Sequence, residues 1–269
     1  ADNLTVTEFV GELGPMDVVL LALKAHQIVP IVNDMSVLLG PNTVIVTLQN
    51  GIPWWYFQNF AGDYANRVVE TVDPGGLLFN SIDPDRLIGC IAYPATTISK
   101  PGVIQHIEGN RFPVGELSGM KTERVQMVSD LFAESGFKSR IIDDIRSEIW
   151  LKLWGNLTFN PISALTHSTL VDICQFPLTR QLVATMMTEA QTVGERLGAH
   201  FRIPMEKRIA GAESVGKHKT SMLQDVEAGK PIEIESMLGA VIELAEVTGV
   251  QTPTLRAIYA CVSLLDKTL

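Results

Sequence analysis

The sequence predicts an α/β protein in two parts, a sheet domain over residues 1 to 143 and an all-helical domain over residues 144 to 269. Three observations predict it. "DVVLLAL" (17 to 23) and "TVIVTL" (43 to 48) are short unbroken apolar runs rich in valine and leucine, the pattern of strands buried on both faces of a parallel sheet. The stretch between them has helical spacing, so strand, helix and strand form a βαβ unit whose strands are parallel neighbours. From Arg146 onward the pattern is helical for the rest of the chain.

Taken in order, the first strand is followed by "AHQIVPIVNDMSVLLG", read as a helix despite the poor fit of Pro30, and closed by Gly40-Pro41. The second strand ends in Gln49-Asn50-Gly51, which places Lys24 and Asn50 at the carboxyl ends of adjacent strands, the edge where open α/β sheets bind ligands. "LIGCIAYPATTI", "GVIQHIEGN" and "RFPVGEL" read as shorter strands added antiparallel to the sheet, with turns at Lys100-Pro101-Gly102 and Gly109-Asn110. A helix, "TERVQMVSDLFAESG", and a short strand near Ser139 to Ile142 close the first part. The second part gives a helix through Asn160, another over about Leu178 to Leu197, short "SMLQDVEAG", then "IEIESMLGAVIELAEVTG" and a last amphipathic helix after Pro253.

A 46% hydrophobic content argues against disorder, and a net charge of -9 disfavours nucleic acid or an anionic membrane as a bulk partner. The longest apolar stretch is far short of the ~20 residues that span a bilayer. The N-terminal "ADNLTVTEFVGELG" has no basic region leading into an apolar run, so no signal peptide is expected. Cys90, Cys174 and Cys261 are odd in number and set in apolar contexts, which suits free core thiols in a reducing cytosol. The five histidines have no ligand spacing, and no metal site is expected.

The helix "SEIWLKLWGNLTFNPIS" (147 to 163) is apolar nearly all round, yet Lys152, Asn156 and Asn160 fall at i, i+4 and i+8 on one narrow stripe. A helix of this kind is buried, so the stripe faces a cleft. Burying an ammonium is costly unless it is paired, and it moves the group toward acid/base use. The alternative is that Lys152 snorkels to the surface while the asparagines satisfy backbone groups. Ser221 reads as an N-cap or a polar site residue, and Glu233 as a solvated acid at a helix start or a site carboxylate. "PWWYF" (53 to 57) reads as seam packing or as a cover over a ligand.

Taken together, "LALKAHQ", "LQNG", "WLKLWGNLTFNPISALT", "SMLQD" and "IEIES" resemble the ketopantoate reductase (2-dehydropantoate 2-reductase) family, in its order and close to its spacing, over essentially the whole chain. The K-x-x-x-N-x-x-x-N-P helix is the most specific of these marks. The resemblance implies a Rossmann-like sheet domain followed by a helical domain for substrate binding and dimerisation, and NADPH-dependent reduction of a 2-keto acid in pantothenate biosynthesis. By matching position, Lys152 would be the general acid and Glu233 would hold the substrate hydroxyl and orient the lysine. Asn50, Asn156, Asn160 and Ser221 would bind substrate. Lys24, Gln27, Asn50 and Ala95 would lie against NADPH. A cytoplasmic homodimer without nucleic acid, membrane or metal is also implied.

Two departures accompany the resemblance. The family's opening strand, G-x-G-x-x-G turn and helix are not in these 269 residues, and "GELG" (11 to 14) does not replace them, so the sheet domain is expected to be N-terminally incomplete. Leu238-Gly239 stands where many relatives have Asn-Gly, which leaves room for another branched 2-keto acid. A third reading keeps the helical part as a non-catalytic interaction or dimerisation module.

Overall fold

The computed structural model describes residues 4 to 269; Ala1 to Asn3, the start of the segment read for a leader, lie outside the described residues. The chain divides into two compact units. The first holds the described residues up to Gln49, Phe57–Val68 and Gly75–Ile145, and the second holds Asn50–Tyr56, Val69–Pro74 and Arg146–Leu269.

The first unit is built on β1 (Met16–Leu21) and β2 (Leu39–Thr47), which pair in parallel as the βαβ pattern requires. The connection between them is not the expected helix. It is three short 3-10 turns, Ala25–Gln27, Val29–Ile31 and Asp34–Leu38, because Pro30 has no N–H to give and its ring collides with the preceding turn. A small helix α1 (Leu77–Ser81) precedes β3 (Leu87–Cys90), which lies parallel to β2 on its other side. The order in the sheet is β1-β2-β3-β6, where β6 (Val114–Glu116) runs antiparallel to β3.

Full burial of the first strand is also corrected. As an outer strand β1 buries only Leu21, and Leu20 is half exposed. The reading of antiparallel additions is corrected too: "LIGC" forms the parallel β3, and "ATTISK" and "VIQHIE" leave this sheet. They form β4 (Ala95–Lys100) and β5 (Val103–Glu108), an antiparallel hairpin in a sheet of its own, with Ile98 and Ile104 exposed opposite each other. The core of this unit is Val44, Val46, Ile88, Cys90 and Val114 on one face of the sheet, covered by Val125 and Val128 of α2 (Glu123–Glu134). The strand expected near Ser139 to Ile142 is reduced to isolated bridges, Arg111 with Lys138 and Val114 with Ile141.

The second unit is helical around α3 (Ile145–Thr166), with α4 (Leu170–Gln175), α5 (Pro177–Arg196), α6 (Met205–Ser214), α7 (Ser221–Glu227), α8 (Ala240–Thr248) and α9 (Pro253–Asp266). The sequence reading missed α4 and α6, although a capping box marks α4: Asp172 accepts from the Thr169 N–H at 3.0 Å. α5 packs on α8 and α9, and the Glu189 carboxylate of α5 caps α9 by accepting from the N–H groups of Thr254 and Leu255 at 3.0 and 2.9 Å. The "IEIESMLGAVIELAEVTG" segment is not uniformly α-helical. A π-helical turn, Glu235–Gly239, leads into α8. Cys90 and Cys174 are buried free thiols, whereas Cys261 is exposed and so departs from the core reading.

Candidate active site

From Ser147 to Ala164 every residue of α3 is buried except Lys152 and Asn156, which are half buried. Asn160, eight residues after Lys152, is buried at 6% exposure. Two of the three residues of the predicted stripe, Lys152 and Asn156, are therefore the breaks in the buried surface of this span, and Asn160 is buried with its neighbours.

Lys152 does not snorkel away from this stripe's neighbourhood. Its Nζ donates to Asn50 Oδ1 at 2.7 Å, and Asn50 Nδ2 in turn donates to Glu233 Oε2 at 3.3 Å. All three residues belong to the second unit. The amide can face only one way and satisfy both partners, its oxygen to the ammonium and its nitrogen to the carboxylate. Asn50 thus offers a carbonyl acceptor to Lys152 and a donor to Glu233. A ligand that carries a carbonyl oxygen and a hydroxyl presents the same pair of groups.

Backbone close to Asn50 holds it there. Gly51 takes φ +84°, and a Cβ on it would fall inside contact distance of the Ser236 carbonyl oxygen and 2.5 Å from the carbonyl carbon. Only glycine permits that approach. The Ile52 N–H donates to the same Ser236 oxygen at 2.8 Å. Ser236 lies in the π-helical turn, which begins two residues after Glu233, so one turn fixes both ends of the Asn50–Glu233 contact. π-helical turns recur at functional sites because the extra residue re-aims the side chains beside it. The same turn supplies Met237, whose Sδ faces Asn160 Nδ2 at 4.0 Å. A thioether is a weak acceptor, so that amide keeps most of its donor capacity.

The remaining expected site residues are placed as follows. Ser221 is the exposed first residue of α7, and its reading as the N-cap is corrected: the cap is the buried Thr220, whose Oγ1 accepts from the Leu223 N–H at 3.3 Å. Lys24, Gln27 and Ala95 lie in the first unit. Lys24 and Gln27 follow the carboxyl end of β1, where the Gln27 Oε1 accepts from the Lys24 N–H at 2.9 Å, and Ala95 opens β4. "PWWYF" is packing: Trp54, Trp55, Tyr56 and Phe57 are all buried, and Trp150 of α3 donates its Nε1 proton to the Tyr56 hydroxyl at 2.7 Å. Gly51 and Ser236 were not predicted; the one local signal was Asn50-Gly51 at the end of a strand.

No group of three or more histidine, cysteine or acidic side chains suited to a metal ion occurs among the described residues, and no helix among them is long and apolar enough to cross a membrane.

Two family models match the chain, "Ketopantoate reductase PanE/ApbA" over residues 3 to 119 and "Ketopantoate reductase PanE/ApbA C terminal" over residues 144 to 266. A 2-dehydropantoate 2-reductase of Mesorhizobium japonicum is 50% identical over 251 residues, covering 93% of this chain and 77% of that protein. Among solved structures, one from Ralstonia solanacearum MolK2 that bears the ketopantoate reductase name superposes with a TM-score of 0.92 at 33% identity, over 97% of this chain and 80% of the other. A 2-dehydropantoate 2-reductase from Geobacter metallireducens GS-15 superposes with a TM-score of 0.82 at 25% identity, over 98% and 81%.

Proposed function

The chain belongs to the ketopantoate reductase family, and we propose that it reduces 2-dehydropantoate to pantoate with NADPH. The observation that carries the reading is the connected set Lys152, Asn50 and Glu233, with the lysine on the family's K-x-x-x-N-x-x-x-N-P helix.

In this reading Lys152 is the general acid. As the keto group becomes an alcohol, the electron pair leaving the carbonyl bond collects on oxygen, and the ammonium both stabilises that charge and gives up a proton to it. Glu233 accepts from the substrate hydroxyl. Asn50 then exchanges one or both of its present partners for substrate, and Asn156, Asn160 and Ser221 supply further donors. NADPH supplies the hydride when bound. Lys24 and Gln27 fit such a cofactor, because an ammonium and an amide N–H beyond the carboxyl end of a parallel strand are donors suited to its anionic and carbonyl groups. Ala95 completes the cofactor contacts by family position.

Residues 1 to 143 are assigned to nucleotide binding and residues 144 to 269 to substrate binding and homodimerisation, on the same family basis. A cytoplasmic location belongs to the same proposal. Leu238 is fully buried in the π-helical turn, which gives the apolar residue a packing role and keeps 2-dehydropantoate ahead of other branched 2-keto acids.

The test is consumption of NADPH, followed by its absorbance, with 2-dehydropantoate and with branched 2-keto acids that lack the terminal hydroxyl. Preference for 2-dehydropantoate supports the reading. Equal use of all would transfer the assignment to a broader 2-keto acid reductase, and binding of NADPH without turnover of any would refute it.

A further inference from the structure

Gly239 has ordinary right-handed helical dihedrals, φ -55° and ψ -52°, where the π-helical turn joins α8, so its backbone does not require glycine and glycine weakens the helix there. The reason is a side chain from one turn earlier. The Glu235 carboxylate lies back over the backbone at 239, its Oε2 2.5 Å from where a Cβ would be, and the Thr71 methyl is 2.8 Å from the same point. Tyr259 of α9 closes over that carboxylate. Its hydroxyl meets both oxygens, at 2.9 Å to Oε1 and 3.0 Å to Oε2, and its ring edge lies 3.4 Å from the Cβ position. The Thr71 methyl is fixed in turn, because the Thr71 N–H and hydroxyl both donate to the Glu243 carboxylate of α8, at 2.8 and 2.5 Å.

Glu235 and Gly239 are the first and last residues of the π-helical turn, so this clasp spans it end to end. The turn is closed by the Ala240 N–H donating to the Glu235 carbonyl five residues back. In an α-helix that N–H would reach Ser236 instead, and the turn would hold one residue fewer. Each helical residue adds about 100° of rotation, so such a slip would turn the segment before Ser236 by about that angle. Ser236 itself is held by Gly51 and the Ile52 N–H, which leaves Glu233 to move. The contact of Glu233 with Asn50, at 3.3 Å, depends on the turn keeping its extra residue.

We propose that Tyr259, acting through Glu235, is a positioning residue for the substrate-hydroxyl end of the site: the clasp preserves the π-helical turn and so keeps Glu233 facing Asn50. The inference rests on the reductase reading above and on the role given there to Glu233. Its effect is confined to the group that Glu233 holds. Lys152 is carried by α3 and keeps its bond to Asn50, so proton delivery to the keto oxygen stays in place.

The experiment compares two substrates that differ in that hydroxyl. Steady-state kinetics with NADPH is measured on 2-dehydropantoate and on 3-methyl-2-oxobutanoate, for the wild type, Tyr259→Phe, Glu235→Gln, Gly239→Ala, and Glu233→Gln with and without Tyr259→Phe. Tyr259→Phe should raise KM for 2-dehydropantoate by about 3- to 10-fold with kcat nearly unchanged, and leave the hydroxyl-free acid within about twofold of the wild type. Glu235→Gln keeps an acceptor for the phenol and should retain most of the wild-type preference. Gly239→Ala puts a methyl where the carboxylate lies and favours the regular helix, so it should give the same selective loss as Tyr259→Phe. In the Glu233→Gln background, Tyr259→Phe should add no further loss, because the group it positions is gone. Equal losses on both acids, an additive loss in the double variant, or no loss at all would overturn the role of Tyr259 and leave the reductase reading standing. A wild type that reduces neither acid would overturn both.

Discussion

Lys152 Nζ donates to Asn50 Oδ1 across 2.7 Å, joining a lysine of the long buried helix to an amide 102 positions earlier in the chain. The amide oxygen is one anchor of the lysine. Glu233 touches the other end of that amide, so Asn50 links the lysine to the carboxylate.

Glu233→Gln should therefore act on binding more than on chemistry. The variant keeps the shape of the side chain but loses the charge-assisted bond to a substrate hydroxyl, worth about 1.5–3 kcal/mol. KM for 2-dehydropantoate should rise by about 10- to 100-fold, while a branched 2-keto acid without the hydroxyl should be little affected. Steady-state kinetics on both substrates checks this, and an equal change in both would return Glu233 to the role of a helix-start acid.

Gly51→Ala should damage the site from behind. The new methyl meets the Ser236 carbonyl, and φ +84° is unfavourable for any residue with a Cβ. Stability should fall by at least about 1 kcal/mol in chemical denaturation, and turnover should fall with it as Asn50 is pushed from Lys152 and Glu233. Wild-type stability and turnover in the variant would show that the backbone clasp does not set the site.

Tyr259 ties the π-helical turn to α9 by donating to the Glu235 carboxylate at 2.9 Å. Burial first, then the Glu235 hydrogen bond and charge, raise its pKa above the ordinary 10.0, with Ser263 pulling the other way. A pKa raised on folding gives stability that is complete below pH 10.0 and is lost as the pH rises through the folded value. Urea unfolding at increasing alkaline pH should show this decline in the wild type beyond that of Tyr259→Phe. Parallel curves would remove the phenol from the account.

What was legible in the sequence was what depends on local period. The Lys152, Asn156 and Asn160 stripe follows from 3.6 residues per turn, and the strands ending near Lys24 and Asn50 follow from continuous apolar runs. Pro30 already marked the weak point of the connection between them, and there the helix gives way to 3-10 turns. The clasp of Gly51 on Ser236 was hidden, because it joins segments far apart in sequence and rests on a backbone carbonyl that carries no residue signature. The π-helical turn was hidden as well, since one extra residue in a helix leaves no mark in composition. Thr220 and Ser221 are both good caps, and only packing decides between them.

The central claim is that Lys152 protonates the substrate oxygen, and replacing it tests this most directly. NADPH-dependent reduction of 2-dehydropantoate is measured for the wild type and for Lys152→Ala, together with the melting temperature of each. Turnover should fall by about 10² to 10⁴, as removal of a general acid predicts, with the melting temperature close to that of the wild type. A folded Lys152→Ala protein that turns over at the wild-type rate would contradict the account.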